Sequence, residues 1–121
     1  MNIKELADLM DAAPYNAAAK RRWLNAARKA ARSVAKDLGL APGTFDVRTC
    51  KGGIGVPGEI ILHGENLFVC LGTSMPGGEL IGFARSCQGR KDYTGGVNRW
   101  ISTRMTFDQM VQVCREAMDQ A

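Results

Sequence analysis

The placement of glycine constrains this chain's fold more than any other feature. All fourteen glycines lie between Gly39 and Gly96, and neither end of the 121-residue chain holds one. Glycine weakens a helix and serves turns. The ends therefore read as helical, and the middle as strands joined by turns. A chain of this length forms one domain.

At the N-terminal end, residues 2–11 carry Ile3, Leu6, Leu9 and Met10 at helical spacing, and Pro14 breaks the pattern. Asn16 can cap a second, alanine-rich helix that runs to about Leu38, where Gly39 supplies a stop. Trp23, Ala27, Ala30, Ala31, Val34 and Leu38 share one arc of it; Arg21, Arg22, Arg28, Lys29, Arg32 and Lys36 share the opposite arc. The net charge of +4 is uneven. Residues 12–36 carry seven cations and no acid, while the rest carries nine cations and twelve acids.

In the middle, Phe45, Val47 and Thr49 alternate with Asp46, Arg48 and Cys50, the period of a strand. Further strands are expected over 59–63, 67–72 and 79–87, with a short extended piece at Trp100 and Ile101. Gly64-Glu65-Asn66 marks a turn between the second and third. The C-terminal end opens with Thr106 and Gln109 at capping-box spacing. Phe107, Met110, Val111, Cys114 and Met118 then share a face fit to cover a sheet, with Arg115 at its edge. The expected fold is α+β: two N-terminal helices within 1–39, a small antiparallel sheet of three to five strands within 44–104, and a covering C-terminal helix over 106–119.

Several function classes lose their footing here. No apolar run approaches the roughly 20 residues that span a bilayer. Glu5, Asp8 and Asp11 stand where a secretory signal has its apolar core. The protein is expected in the cytoplasm, away from membranes. Cys50, Cys70, Cys87 and Cys114 form no C-x-x-C pair and read as free thiols, packed as small hydrophobes. With a single histidine, no zinc site is expected. His63, beside the turn, reads as a surface residue of a hairpin. No paired carboxylate, nucleophile elbow or metal signature points to catalysis. The chain is read as a non-enzyme without a cofactor.

The segment from Gln88 to Trp100 (Gln-Gly-Arg-Lys-Asp-Tyr-Thr-Gly-Gly-Val-Asn-Arg-Trp) gathers different chemistry. Arg90, Lys91 and Arg99 supply positive charge, Tyr93 and Trp100 flat apolar rings, and Gly95 and Gly96 open backbone N–H groups. The amide of Asn98 both donates and accepts, which suits a base edge or a ribose hydroxyl. Such a mixture fits a phosphate-bearing ligand with a base or sugar attached. The same segment also reads as a long polar connection between strands. It is neither a Walker loop nor a dinucleotide fingerprint. The basic helix allows three readings: a solvated face, a nucleic-acid contact face, or an oligomer interface whose cations point into a shared ligand pocket. Alanines at 26, 27, 30 and 31 permit the close helix approach that the last requires.

The run Ala84-Arg85-Ser86-Cys87-Gln88-Gly89-Arg90-Lys91-Asp92-Tyr93-Thr94-Gly95-Gly96-Val97-Asn98, followed by a helix bearing Arg115, resembles small phage-encoded proteins of the Thoeris anti-defence sponge family. The order of elements and the length are similar too. The resemblance implies a binding protein that sequesters a cyclic ADP-ribose signal without cleaving it. It further implies a homo-oligomer, a dimer or larger, with ligand pockets near subunit interfaces, and in some members a second site for cyclic oligonucleotides. By resemblance, Asn98 contacts the base or ribose, Arg115 pairs with phosphate or stacks on adenine, Phe83 stacks on the base, and Arg28 reaches phosphate. Arg90 and Tyr93 join them from the loop. The competing expectations are a small nucleic-acid-binding accessory protein that uses the helix over 20–36, and a protein-binding inhibitor of a host factor.

Overall fold

Every expected strand forms, and they pair in chain order. The computed structural model describes residues 17–51, 58–73, 80–92, 96–102 and 105–119. Within these the chain makes a helix α1 (Ala17–Asp37) and strands β1 (Phe45–Cys50), β2 (Glu59–Gly64), β3 (Phe68–Thr73), β4 (Leu80–Arg85) and β5 (Arg99–Ile101). A second helix, α2 (Phe107–Met118), follows. The five strands form an antiparallel meander in the order β1-β2-β3-β4-β5. The domain is α+β, as expected. The pattern over residues 2–11 and the cap at Asn16 lie outside the described residues.

Alternation along the strands divides the sheet into two unlike faces. Val47, Ile60, Leu62, Val69, Leu71, Ala84 and Ile101 point to the helices and join one core with them. Helix α1 lies over β1 and β2, and α2 over β4 and β5. The opposite face carries Arg48, His63, Phe68, Cys70, Phe83, Arg85 and Trp100. Phe68, Cys70 and Cys87 form a second, smaller cluster there, with Ile61 and Phe83 against it.

The helix boundaries follow from local chemistry. Gly39 takes φ 73° at the end of α1. Its N–H donates to the Lys36 carbonyl at 3.0 Å, and the Leu40 N–H donates to Ala35 at 3.0 Å. These two bonds make a Schellman motif, which satisfies carbonyls the helix leaves open. At the start of α2 the Gln109 N–H donates to the Thr106 hydroxyl at 3.2 Å. The Thr106 N–H in turn donates to the Gln109 side chain at 2.8 Å. This is the capping box read in the sequence. On α1, Trp23, Ala27, Ala30, Ala31 and Val34 are buried and Leu38 packs at the margin. The three alanines alone would leave a thin interface; Trp23, fully buried, fills it.

Candidate functional site

Residues 86–92 bind themselves to the end of the sheet where the β2–β3 turn lies. The Gly89 N–H donates to the Glu65 carbonyl at 2.7 Å, and the Cys87 N–H donates to Asn66 at 3.3 Å. The Asp92 carboxylate accepts from the Gln88 N–H at 2.9 Å and so closes a turn. Arg90 stands between two carboxylates, 3.5 Å from Asp46 and 3.6 Å from Glu65. Arg90 thus links the loop to the β1–β2 hairpin. Gly96 takes φ 82°, and a Cβ there would lie 2.5 Å from the Ser86 carbonyl oxygen. Only glycine permits this approach.

The close pass of Gly96 over Ser86 opens a cavity of about 480 Å³ beside β5. Its described lining is Ser86, Gly96, Val97, Asn98, Arg99 and Ala117. Ala117 comes from the last turn of α2. Arg99 is held near the rim by Glu116 at 3.7 Å. This half-exposed pair is screened by water and leaves the guanidinium able to exchange partners. The lining combines one amide, one guanidinium, backbone groups around a glycine, and apolar surface. The volume falls in the range of small-molecule sites.

A row of rings crosses the other face of the sheet. His63 meets Phe68 edge-on at 5.0 Å, Phe68 stacks on Phe83 at 6.1 Å, and Phe83 meets Trp100 edge-on at 5.9 Å. The strand register sets these neighbours: His63 lies opposite Phe68, and Phe83 opposite Trp100. The Arg85 guanidinium lies 4.6 Å from the Phe68 ring centre and 5.5 Å from that of Phe83. Such contacts exploit the negative ring face. Trp100, at the sheet edge, is 62% exposed.

His63 corrects the sequence reading. It is fully buried rather than superficial. Its Nδ1 lies 2.9 Å from an Arg48 nitrogen, and its Nε2 lies 3.1 Å from the Gly89 carbonyl. Arginine only donates and a carbonyl only accepts. The ring is therefore the neutral tautomer with its proton on Nε2. Burial lowers its pKa first and the Arg48 charge second, while the bond to Gly89 acts in the opposite sense. The histidine is a strut between β1, β2 and the loop.

The cysteines are free; Cys70, Cys87 and Cys114 are buried and Cys50 is exposed. Burial pushes the Cys114 thiol up to about 12 and raises Cys87. Burial also raises Cys70, assisted by Glu59, whose carboxylate accepts from its thiol at 3.2 Å. These three stay protonated at neutral pH, so they are poor nucleophiles and poor metal ligands. Among the described residues, no cluster of histidine, cysteine, aspartate and glutamate could hold a metal ion. No helix among them is long and apolar enough to cross a membrane.

The six candidate residues fall in different places. Asn98 lines the cavity. Phe83 belongs to the ring row on the opposite face. Arg90 bridges two carboxylates. Arg115 donates to the Asp37 carbonyl at 3.4 Å, at the end of α1. Arg28 donates to Asn25 at 3.3 Å along α1, and its Nε is buried without an acceptor among the described residues. Tyr93 lies outside the described residues. Within one copy of the chain, then, only Asn98 of the five described lines this cavity. Arg99 and Gly96, both in the segment singled out in the sequence, line it too. Ser86 and Ala117 also line it, and Arg85 carries the ring row; none of these three stands out in the sequence as a site residue. Strand parity could have grouped Arg85 with Phe83, but only after the register was known.

The chain matches no family model, no curated protein and no solved structure.

Proposed function

We propose that this protein is a phage-encoded anti-defence sponge, which holds a cyclic nucleotide immune signal of the cyclic ADP-ribose type without cleaving it. The observation that carries this reading is the cavity of about 480 Å³ whose lining includes Asn98 and Arg99. It lies in the segment that bears the resemblance. A ligand of this class has about two negative charges and at least one flat base. The Asn98 amide suits a base edge or a ribose hydroxyl, and the Arg99 fork suits phosphate oxygens. Val97, 83% exposed at the mouth, offers apolar surface that a bound ligand would cover. Holding the signal intact needs no base, nucleophile or metal, only enclosure and charge complementarity. Enclosure is completed in this reading by a second copy, which brings further groups such as Arg28 or Arg115 to the rim. The protein works as a cytoplasmic homo-oligomer.

Calorimetric titration against cyclic ADP-ribose isomers and cyclic di- and trinucleotides tests the proposal. The expected result is nanomolar binding to one of them, with the ligand recovered intact after heat release. Asn98→Ala should weaken that binding at least tenfold, about 1.4 kcal/mol. A folded protein that gives no heat across the panel would refute the sponge.

A further inference from the structure

Five cations of α1 line no described wall of the cavity above, and they differ from the three arginines of the sheet and loop that face carboxylates. Arg48, Arg90 and Arg99 each stand within ion-pair distance of a carboxylate. Arg21, Arg22, Lys29, Arg32 and Lys36 are all exposed. Among the described residues, none of these five is engaged by a carboxylate or by any other group.

Their geometry is a ridge. At about 100° per residue, Arg21, Arg32, Lys36, Lys29 and Arg22 fall in that angular order within roughly one 100° arc. From Arg21 to Lys36 the ridge is about 22 Å long, at the usual rise per helical residue. The arc holds one further residue between the cations, the exposed amide Asn25. The helix cannot rotate to spread these charges, because its other side is locked into the core by Trp23, Ala27, Ala30, Ala31 and Val34. A rigid line of five cations, none neutralised among the described residues, concentrates positive potential along one direction.

We infer that the α1 ridge binds the phosphate backbone of double-stranded nucleic acid, without regard to sequence. The chemistry of the helix selects this partner. A protein partner needs a desolvated apolar or aromatic centre, and the arc has none. A single strand needs aromatic platforms for its bases, and the arc has none of these either. A membrane-surface helix inserts an apolar face between lipids, whereas the apolar face of α1 is already buried against the sheet. Phosphate contact, by contrast, requires only cations and polar donors along a line. Three of the five cations are arginines, whose forked guanidinium matches phosphate oxygens. With Asn25 the only neutral hydrogen-bonding side chain on the arc, there is too little to read base edges.

The test is anisotropy of a labelled 20-base-pair DNA duplex titrated with the full chain between 50 and 200 mM salt. Five phosphate contacts give a slope of log K against log salt of about −4.5, or a loss of several hundredfold in affinity over that range. Two duplexes of unrelated sequence should bind alike. The triple variant Arg21→Gln, Lys29→Gln, Arg32→Gln changes only exposed side chains; it should melt with the parent and flatten the slope by about 2.7. The same titration with a single strand, a poly-glutamate peptide and phosphatidylserine vesicles gives the competing outcomes. Tighter binding of any of these three would overturn the proposal. So would the absence of duplex binding at 50 mM salt, or a slope that the triple variant leaves intact.

Discussion

The ridge on α1 and the loop end of the sheet are both rich in cations, yet they use them in opposite ways. At the loop end, Arg90 lies between Asp46 and Glu65, and Arg48 donates to His63. On α1, five exposed cations meet no acid among the described residues. The first set fixes a shape: it ties the loop after β4 to β1 and to the β2–β3 turn. The second set fixes nothing inside the protein, and its potential is directed outward. A net charge of +4 conceals this division. Local neutralisation, not the total count, decides whether a cation is structural or available to a partner.

The sharpest way to break the contrast is at the loop end, where the structure depends on close contacts. Gly96→Ala should cost about 2–4 kcal/mol, the sum of a left-handed backbone without glycine and a Cβ against the Ser86 backbone. Urea denaturation measures it, and a loss under 1 kcal/mol would mean that this approach is slack. Arg48→Ala comes next, at about 1–3 kcal/mol, because it leaves the buried Nδ1 of His63 without a donor. Stability unchanged within error would show that the histidine does not need this bond.

What the sequence reveals about these regions depends on how local the cause is. The two arcs of α1 follow from a period of 3.6 residues and are legible without any structure. The Schellman end at Gly39 and the capping box at Thr106 are local as well, and both form as read. The strands show in their alternation. Register is a different matter, because it depends on which residues lie across from each other. The ring row of His63, Phe68, Phe83 and Trp100 joins four strands and is invisible until they are aligned. The same holds for Arg90, whose partner Asp46 lies on β1, far back in the chain. It looks like a ligand group in its loop and turns out to be paired. His63 fails for the same reason: its place beside a turn suggests solvent, while Arg48, Phe68 and the loop close over it. Asn98 is legible in its loop, but the wall that Ala117 supplies comes from α2.

Acid should separate the two regions more gently than mutation. The unfolded chain protonates His63 near pH 6.5. In the folded protein its pKa is lower, because burial and Arg48 disfavour the charge. As pH falls below about 6.5, the unfolded state takes up a proton that the folded state does not. Stability therefore falls with pH until the folded pKa is reached, at no more than about 1.4 kcal/mol per unit for this one group. Denaturation midpoints between pH 7 and 5 measure the slope, and His63→Gln should flatten it. A slope identical in the variant would assign the effect to other groups.

The smallest effect belongs to the ridge, and its smallness is what makes it informative. Arg32→Gln removes an exposed charge that has no ion pair or hydrogen bond among the described residues, so stability should change by less than about 0.5 kcal/mol. The sign should favour the variant slightly, since Arg32 repels Lys29 and Lys36, three and four residues away on the same helix. A clear loss of stability, measured by the same denaturation, would mean that Arg32 has an internal partner and that the ridge is structural after all. A neutral or stabilising result would mean that the chain keeps a row of mutually repelling charges that does nothing for its own folding. Such a row is then available to an anionic group outside the protein.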